Sequence, residues 1–276
     1  MYSRAQLADA FRALGVAAGD TVMLHASVRA AGQIAGGPDQ IHLALKDALT
    51  DAGTLVMYAS CPDYYDEVER GTLTAEQERE LLQKLPPFDP LTARSARDNG
   101  TLVEFFRTYP GSRVNAHVAR FVVWGKHTDA LIAHEQQPWN YAFGRGSLLE
   151  RFVHQCDGKI LLLGSDHDAV TFLHYAEHIV DIPGKRVARY KVPVAPNVWR
   201  DMEEFDTSDA GAHPNWPPRF FAQIVDGYLA RTQNHGARVG DAQSFLLDAR
   251  GLLALALEVM TSVGHHGQAR DSLHLG

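Results

Sequence analysis

The chain has 276 residues, 45% of them hydrophobic and 21% charged, with a net charge of −7 and 2 cysteines. This is the composition of a soluble globular protein with core enough for one large domain or two modest ones. It excludes a basic nucleic-acid-binding surface, a bilayer span (the longest apolar runs, "KILLLG" and "GLLALALEVM", are too short) and a disulfide framework built from Cys61 and Cys156.

Residues 3 to 14 have the period of an amphipathic helix, stopped by Gly15, rather than the pattern of a secretory signal, so a cytoplasmic location is expected. "DTVMLHAS" reads as an apolar strand. "GGPDQIHLALKDALTDAG" reads as a loop and a helix, with Pro38 near its first turn and Gly53 past its end. "TLVMYAS" is the next strand, so residues 20 to 60 predict a strand–helix–strand unit with a parallel pair. An acidic, tyrosine-rich insertion follows at about 61–90, and its middle, "TAEQERELLQKL", reads as a surface helix with a threonine cap. Such an excursion after a strand either lies over a site or is an inert surface feature. "NGTLVEFFRTYPG" predicts a helix, "FVVWG" and "GKILLLG" predict strands, and the C-terminal third predicts two strands and a closing helix. The tail, 264–276, has no apolar period and is expected to fray. The predicted fold is one α/β domain over 1–276, with a mixed, partly parallel sheet flanked by helices and the inserted segment over the site.

The stretch that carries chemistry is "LLLGSDHDAVTFLHYAEH", a strand, a glycine turn and a helix starting at the strand's carboxyl end, where open α/β sheets bind ligands. Helical spacing places Thr171, His174 and His178 on one stripe, with Glu177 alongside. Three readings fit. His174-x-x-Glu177-His178 matches a zinc metallopeptidase pattern, with Glu203 or Glu204 as a third ligand. Alternatively His174 alone moves protons, oriented by a carboxylate and without metal. In the third reading the histidines decorate a surface helix, since a chain with 14 histidines matches short patterns by chance.

The order of landmarks resembles the aminoglycoside 3-N-acetyltransferases, an antibiotic acetyltransferase family distinct from the common GNAT fold. The resemblance runs from "LGVAAGDTVMLHASVRAAGQIAGGP" through "PPFDP", "GSRVNAHV" and "FGRGSLLERF" to "LLLGSDHDAVTFLHYAEHIVDIPGKR" and "EEFDTSD". The family's Thr-x-x-His-x-x-Glu pattern falls on Thr171, His174 and Glu177. It implies that His174 is the catalytic histidine and leaves His167 and His178 outside the pattern. The chain departs from the family in three places: "RVNAHV" keeps only Arg113 and His117 of an R-S-x-H-P stretch, His25-Ala26-Ser27 replaces H-S-S, and Gly146-Ser147-Leu148 replaces G-S-P.

The implied reaction moves an acetyl group from acetyl-CoA to the 3-amino group of the deoxystreptamine ring of an aminoglycoside. The amine must lose a proton, which suits a histidine held by a carboxylate. The resemblance nominates Glu204 and Asp206, and helical spacing nominates Glu177. The expectation is Glu204 as the partner of His174, with Glu177 and Asp206 against the cationic substrate. Further substrate contacts are expected from Asp63, Tyr64, Tyr65 and Asp98, because carboxylates pair with ammonium groups and tyrosine rings pack on sugars. Contacts to CoA are expected from the turn Ala26, Ser27, Val28 and Arg29, from Gly146 and Ser147, and from Thr171 near the thioester. Cys61 reads as a spectator thiol, and no metal is required. The competing functions are a zinc hydrolase and a non-catalytic relative that binds acetyl-CoA or a polyamine. A monomer or homodimer with neither nucleic-acid nor membrane partners is expected.

Overall fold

The computed structural model describes residues 1–133, 138–208 and 211–266. The first helix, α1 (Arg4–Ala13), opens on a capping box between Ser3 and Gln6 and buries Leu7, Ala8 and Phe11, the three-and-four spacing of one face. Strand β1 (Thr21–Ala26) leads through the short helix α2 (Val28–Ala31) and α3 (Asp39–Leu49) to β2 (Thr54–Tyr58). The insertion carries α4 (Ala75–Lys84), with the expected threonine cap at Thr74, and is followed by α5 (Leu102–Thr108). Strands β3 (Arg113–Val114) and β4 (Phe121–Gly125), helices α6 (Thr128–Ile132) and α7 (Leu148–His154), and strand β5 (Lys159–Leu163) come next. Then follow α8 (Leu173–Ile179), β6 (Val187–Ala195), β7 (Val198–Phe205), α9 (Phe220–Arg231), β8 (Ala237–Val239), β9 (Ala242–Asp248) and α10 (Ala249–His266).

Seven strands form one sheet in the order β3-β4-β2-β1-β5-β9-β8. Its centre is parallel, β1 pairing with β2 and β5, while the outer strands are antiparallel. Alternate residues of the central strands feed two cores, as the pleat requires. Val22, Leu24, Leu55, Leu161 and Leu163 pack on one side against α1, α3 and α5. Met23, Val56, Ile160 and Leu162 pack on the other against α7, α8, α9 and α10. Covering both faces explains why "KILLLG" is a continuous apolar run rather than an alternating one. Each fully buried Leu or Ile there contributes about 1.5–3 kcal/mol.

A second, two-stranded sheet, β6–β7, stands apart, and the insertion packs on it rather than on the main sheet. Cys61 and Tyr65 join Val118, Tyr190, Val192 and Met202 in a third apolar cluster. The Phe88 N–H donates to Pro193 O at 2.8 Å, and Val68 bridges to Lys191. The fully buried Arg120 guanidinium fastens the end of this excursion, donating to the carbonyls of Ala59, Pro90, Ala93 and Arg94 at 2.6–3.0 Å.

Three expectations change. The C-terminal third contains four strands and the helix α9, not two strands. Strand β7 escaped notice because Glu204 occupies one of its inward positions and breaks the alternation, while α9 starts without a side-chain cap at Arg219, whose φ is 55°. Residues 264–266 belong to α10, and 267–276, the rest of the predicted fraying tail, lie outside the described residues. No helix among the described residues is long and apolar enough to cross a membrane.

Candidate active site

The chain leaves β1 along one face of the sheet to reach β2, and reaches β5 by way of α6 and α7 on the other face. The sheet therefore changes direction between β1 and β5, and a crevice opens at their carboxyl ends. Gly164 makes the turn out of β5 at φ +58°, where a Cβ would fall 2.6 Å from that of Ala30. The crevice has two arms. The wide arm, about 760 Å³, is lined by the ends of β1 and β2, residues Ala26–Arg29, Asp98–Thr101 and the turn around Ser165 and Asp166. The narrow arm, about 160 Å³, is lined by Glu177, Trp216, Arg219, Phe220 and Phe221. His174, Asp168 and Thr207 line both, so the arms meet at the histidine.

His174 sits in the first turn of α8. Its Nδ1 lies 2.5 Å from Oε2 of Glu177, and its ring is held between Phe143 at 5.1 Å and the edge of Phe221 at 4.9 Å. Glu177 is buried, only 2% exposed. With Nδ1–H directed at a carboxylate, the free lone pair belongs to Nε2, which makes no protein hydrogen bond among the described residues. Beyond the helix end, Lys185 Nζ donates to the carbonyls of Glu177, His178 and Val180 at 2.9–3.1 Å, a cation placed against the negative end of the helix dipole.

Glu204 does not reach His174 as expected. It pairs with Nε2 of His178 and accepts the N–H groups of Ala142 and Phe205. Strand β7 delivers its carboxylate to the turn of α8 beyond His174, and Glu177, already on the helix, takes the nearer position. This also answers the metallopeptidase pattern. Both ring nitrogens of His178 are engaged, Nδ1 with the His174 carbonyl at 2.6 Å and Nε2 with Glu204, so neither has a lone pair directed at an ion beside His174. Among the described residues no three His, Cys, Asp or Glu side chains converge to hold a metal ion.

Ala26, Ser27, Val28 and Arg29 line the wide arm. The Ser27 hydroxyl caps α2 by accepting from Ala30 N, and Arg29 is exposed at the mouth. Thr171 is not on the helix, which starts at Leu173. It lies in the preceding turn, its carbonyl accepting from His174 N, and its buried side chain lines the wide arm beside the histidine. Asp98 lines the same arm.

Other expected contacts lie elsewhere. Ser147 is the N-cap of α7, its hydroxyl accepting from Glu150 N and donating to Phe143 O, and Gly146 donates to Glu150. Neither residue lines either arm. Tyr65 is buried in the third cluster against Phe88, Tyr64 leans on Tyr65, and Asp63 is exposed, none of them at the crevice. Asp206 lies 3.9 Å from Arg186 and accepts from Ser208 N, framing the turn that presents Thr207. Cys61 is buried off the crevice, and desolvation pushes its thiol well above the ordinary range.

Asp168, Thr207, Phe143, Trp216, Phe221 and Arg219 were not singled out in the sequence. Asp168 alone carried a signal, its place in the turn after β5; the aromatic residues are ordinary core types that the packing brings to the histidine. His25, at the end of β1, also lines the wide arm, and burial pushes its imidazole down to about 4, so it is neutral at pH 7.

The family model for aminoglycoside 3-N-acetyltransferases matches residues 23–261. An aminoglycoside N(3)-acetyltransferase III of Pseudomonas aeruginosa is 38% identical over 265 residues, 95% of this chain and 94% of that protein. An aminoglycoside N(3)-acetyltransferase VIII of Streptomyces fradiae is 34% identical over 269 residues, 94% of this chain and 92% of that protein. Among solved structures, AAC-IIIb in a binary complex with CoASH superposes with a TM-score of 0.86 at 38% identity, covering 97% of this chain and 99% of that one. Sisomicin-bound AAC-VIa superposes with a TM-score of 0.84 at 34% identity, covering 95% of this chain and 98% of that one.

Proposed function

The chain belongs to the aminoglycoside 3-N-acetyltransferase family and is an acyltransferase of that class, and from this premise we propose that His174, oriented by Glu177, is the general base of its acetyl transfer. The observation that carries the reading is the 2.5 Å contact between Nδ1 of His174 and Glu177 where the two arms of the crevice join.

The crevice suits the two substrates. The wide arm has the volume for a pantetheine chain, a cation in Arg29 at its mouth, and two polar atoms without protein partners among the described residues, His25 Nε2 and Ser165 Oγ, in its lining. Acetyl-CoA supplies the electrophile, an acetyl thioester. Asp98 and Asp168 set negative charge beside a substrate carrying several ammonium groups, and the aromatic wall of the narrow arm offers faces to sugar rings.

Nε2 of His174 takes a proton from the 3-ammonium group, leaving a lone pair on nitrogen. That nitrogen attacks the thioester carbon directly. The C–N bond forms, the C–S bond breaks, the sulfur leaves with the electron pair and takes a proton from the imidazolium, and the nitrogen gives up its second proton to the freed Nε2, and from there to solvent, as the amide forms. Glu177 stabilises the imidazolium while it carries that proton, and the Thr171 hydroxyl donates to the carbonyl oxygen as negative charge builds on it. Direct attack leaves Cys61 with nothing to do, in keeping with its position. The reaction gives an acetylated antibiotic and hence resistance. Its setting is the bacterial cytoplasm, where acetyl-CoA is available, in keeping with the free thiols of Cys61 and Cys156.

The test is thiol release from acetyl-CoA with gentamicin by the wild type and His174→Ala, each with and without EDTA. Aminoglycoside-dependent release that survives chelation and falls about 10²–10⁴-fold in the variant is expected. Full activity in His174→Ala refutes the base assignment, and release abolished by EDTA returns the metal reading.

A further inference from the structure

His178 has no part in the chemistry above, yet it is buried and both its ring nitrogens are committed. Nδ1 lies 2.6 Å from the carbonyl oxygen of His174. A carbonyl has no proton to give, so Nδ1 carries the hydrogen and donates it. Nε2 meets Oε1 of Glu204 in a short contact. That carboxylate is itself held by backbone from two segments, Ala142 N–H donating to Oε2 at 2.7 Å and Phe205 N–H to Oε1 at 3.0 Å. Ala142 precedes Phe143, whose ring lies 5.1 Å from that of His174 at an interplanar angle of 33°. The edge of the His178 ring meets Phe143 at 5.7 Å. One imidazole thus ties α8, the 141–143 loop and β7 together at the turn that sets His174.

Space-filling alone does not account for this pair. A buried imidazole–carboxylate contact carries a desolvation cost that a leucine of similar size avoids, and apolar replacements of such pairs are often neutral or stabilising. What the pair adds is direction, since hydrogen bonds fix a rotation that apolar packing leaves loose. We infer that His178, anchored by Glu204, is a positioning residue for the reaction. It holds the turn of α8 that aims Nε2 of His174 into the crevice and keeps Phe143 against the catalytic ring. The inference rests on the reading of His174 as the base.

The charged and titratable groups around the two histidines are Glu177 on the same helix, Lys185 beyond its end, Asp168 on the preceding turn, Arg219 before α9 and, on the Glu204 side, Glu203 with the neutral ring of His117. His178→Leu and Glu204→Gln also alter the charge of the pair itself, so geometry is read from the recovery that the donor of His178→Gln gives.

The experiment compares His178→Gln, His178→Leu and Glu204→Gln with the wild type and with His174→Gln. It measures thermal stability, kcat and KM for both substrates, and kcat/KM from pH 5 to 9. In His178→Leu, kcat is expected to fall about ten- to a hundredfold, because misaim of a reacting atom is costly. Both KM values should stay within about twofold, with the acid limb of the profile displaced. His178→Gln, whose amide can still donate to the His174 carbonyl, should recover part of the loss. Folded His178 variants with wild-type kcat and profile overturn the inference, as does a loss confined to KM. If His178→Leu does not fold, the two glutamine variants decide by the same criteria, and failure of all three to fold makes the pair a stability element and overturns it. Undiminished activity in His174→Gln refutes the base assignment itself, a result separate from any in the His178 series.

Discussion

Glu177 holds Nδ1 of His174 at 2.5 Å from within the same helix, its carboxylate almost wholly shielded from water. A pair three residues apart on one helix has its geometry fixed by the backbone, so the imidazole is oriented before any substrate arrives. Glu177→Gln keeps an acceptor for Nδ1–H but removes the charge that stabilises the imidazolium. Its kcat is expected to fall about ten- to a hundredfold with little change in KM. Steady-state kinetics at saturating substrates checks this; a wild-type kcat would remove Glu177 from the mechanism.

Ser147 separates the capping role from a cofactor role. Its hydroxyl accepts from Glu150 N at 3.2 Å and donates to Phe143 O, away from both arms of the crevice. Ser147→Ala should cost about 1 kcal/mol of stability and leave KM for acetyl-CoA unchanged. A KM that rises severalfold with unaltered thermal stability would restore the turn as a cofactor contact.

Arg120 bears on the insertion. Its guanidinium serves four backbone carbonyls, and burial lowers its pKa only to about 10, so it stays charged at neutral pH. Arg120→Met strands those carbonyls and is expected to cost about 3 kcal/mol or more. Limited proteolysis should then cut first in the segment between α4 and α5. Cleavage elsewhere, or resistance equal to the wild type, would show that other contacts hold the excursion.

Acid should destabilise the fold through two buried histidines. His25 and His117 are pushed from 6.5 down to about 4, in both cases chiefly by desolvation. For His117 there is also a geometric reason. Its Nε2–H donates to Trp139 O and its Nδ1 accepts from Ala119 N, so a second proton would point at an N–H. Because the folded pKa lies below the unfolded one, the unfolded chain binds more protons between the two values. The contribution is complete above about pH 6.5 and lost as pH falls toward 4, on the order of 3 kcal/mol for each ring at most. Melting temperatures measured from pH 8 to 4 should drop across that window, with a smaller slope in His117→Gln. A flat profile would mean that these rings are protonated in the folded state.

Much of this protein was legible in the residues alone, wherever the controlling geometry is local. The alternation from "TVMLHA" to "TLVMY" with a helix between them specified the parallel pair, since the pleat and the helical period are properties of short segments. For the same reason His174 and Glu177 could be named together: three residues along a helix is a fixed distance. The spacing also put Thr171 on that helix, wrongly, because boundaries depend on how the turn after β5 packs. What the tertiary structure alone decided was the pairing between distant segments. Glu204 was the expected partner of His174 over Glu177 until β7 was seen to carry it to His178, 26 residues away in the chain. Phe143, Asp168 and Phe221 come from three separate stretches and meet around one imidazole. Ser147, which looked like a cofactor contact, ends as a helix cap. No local rule fixes such meetings, because they follow from the way two apolar faces of one sheet choose their covering helices.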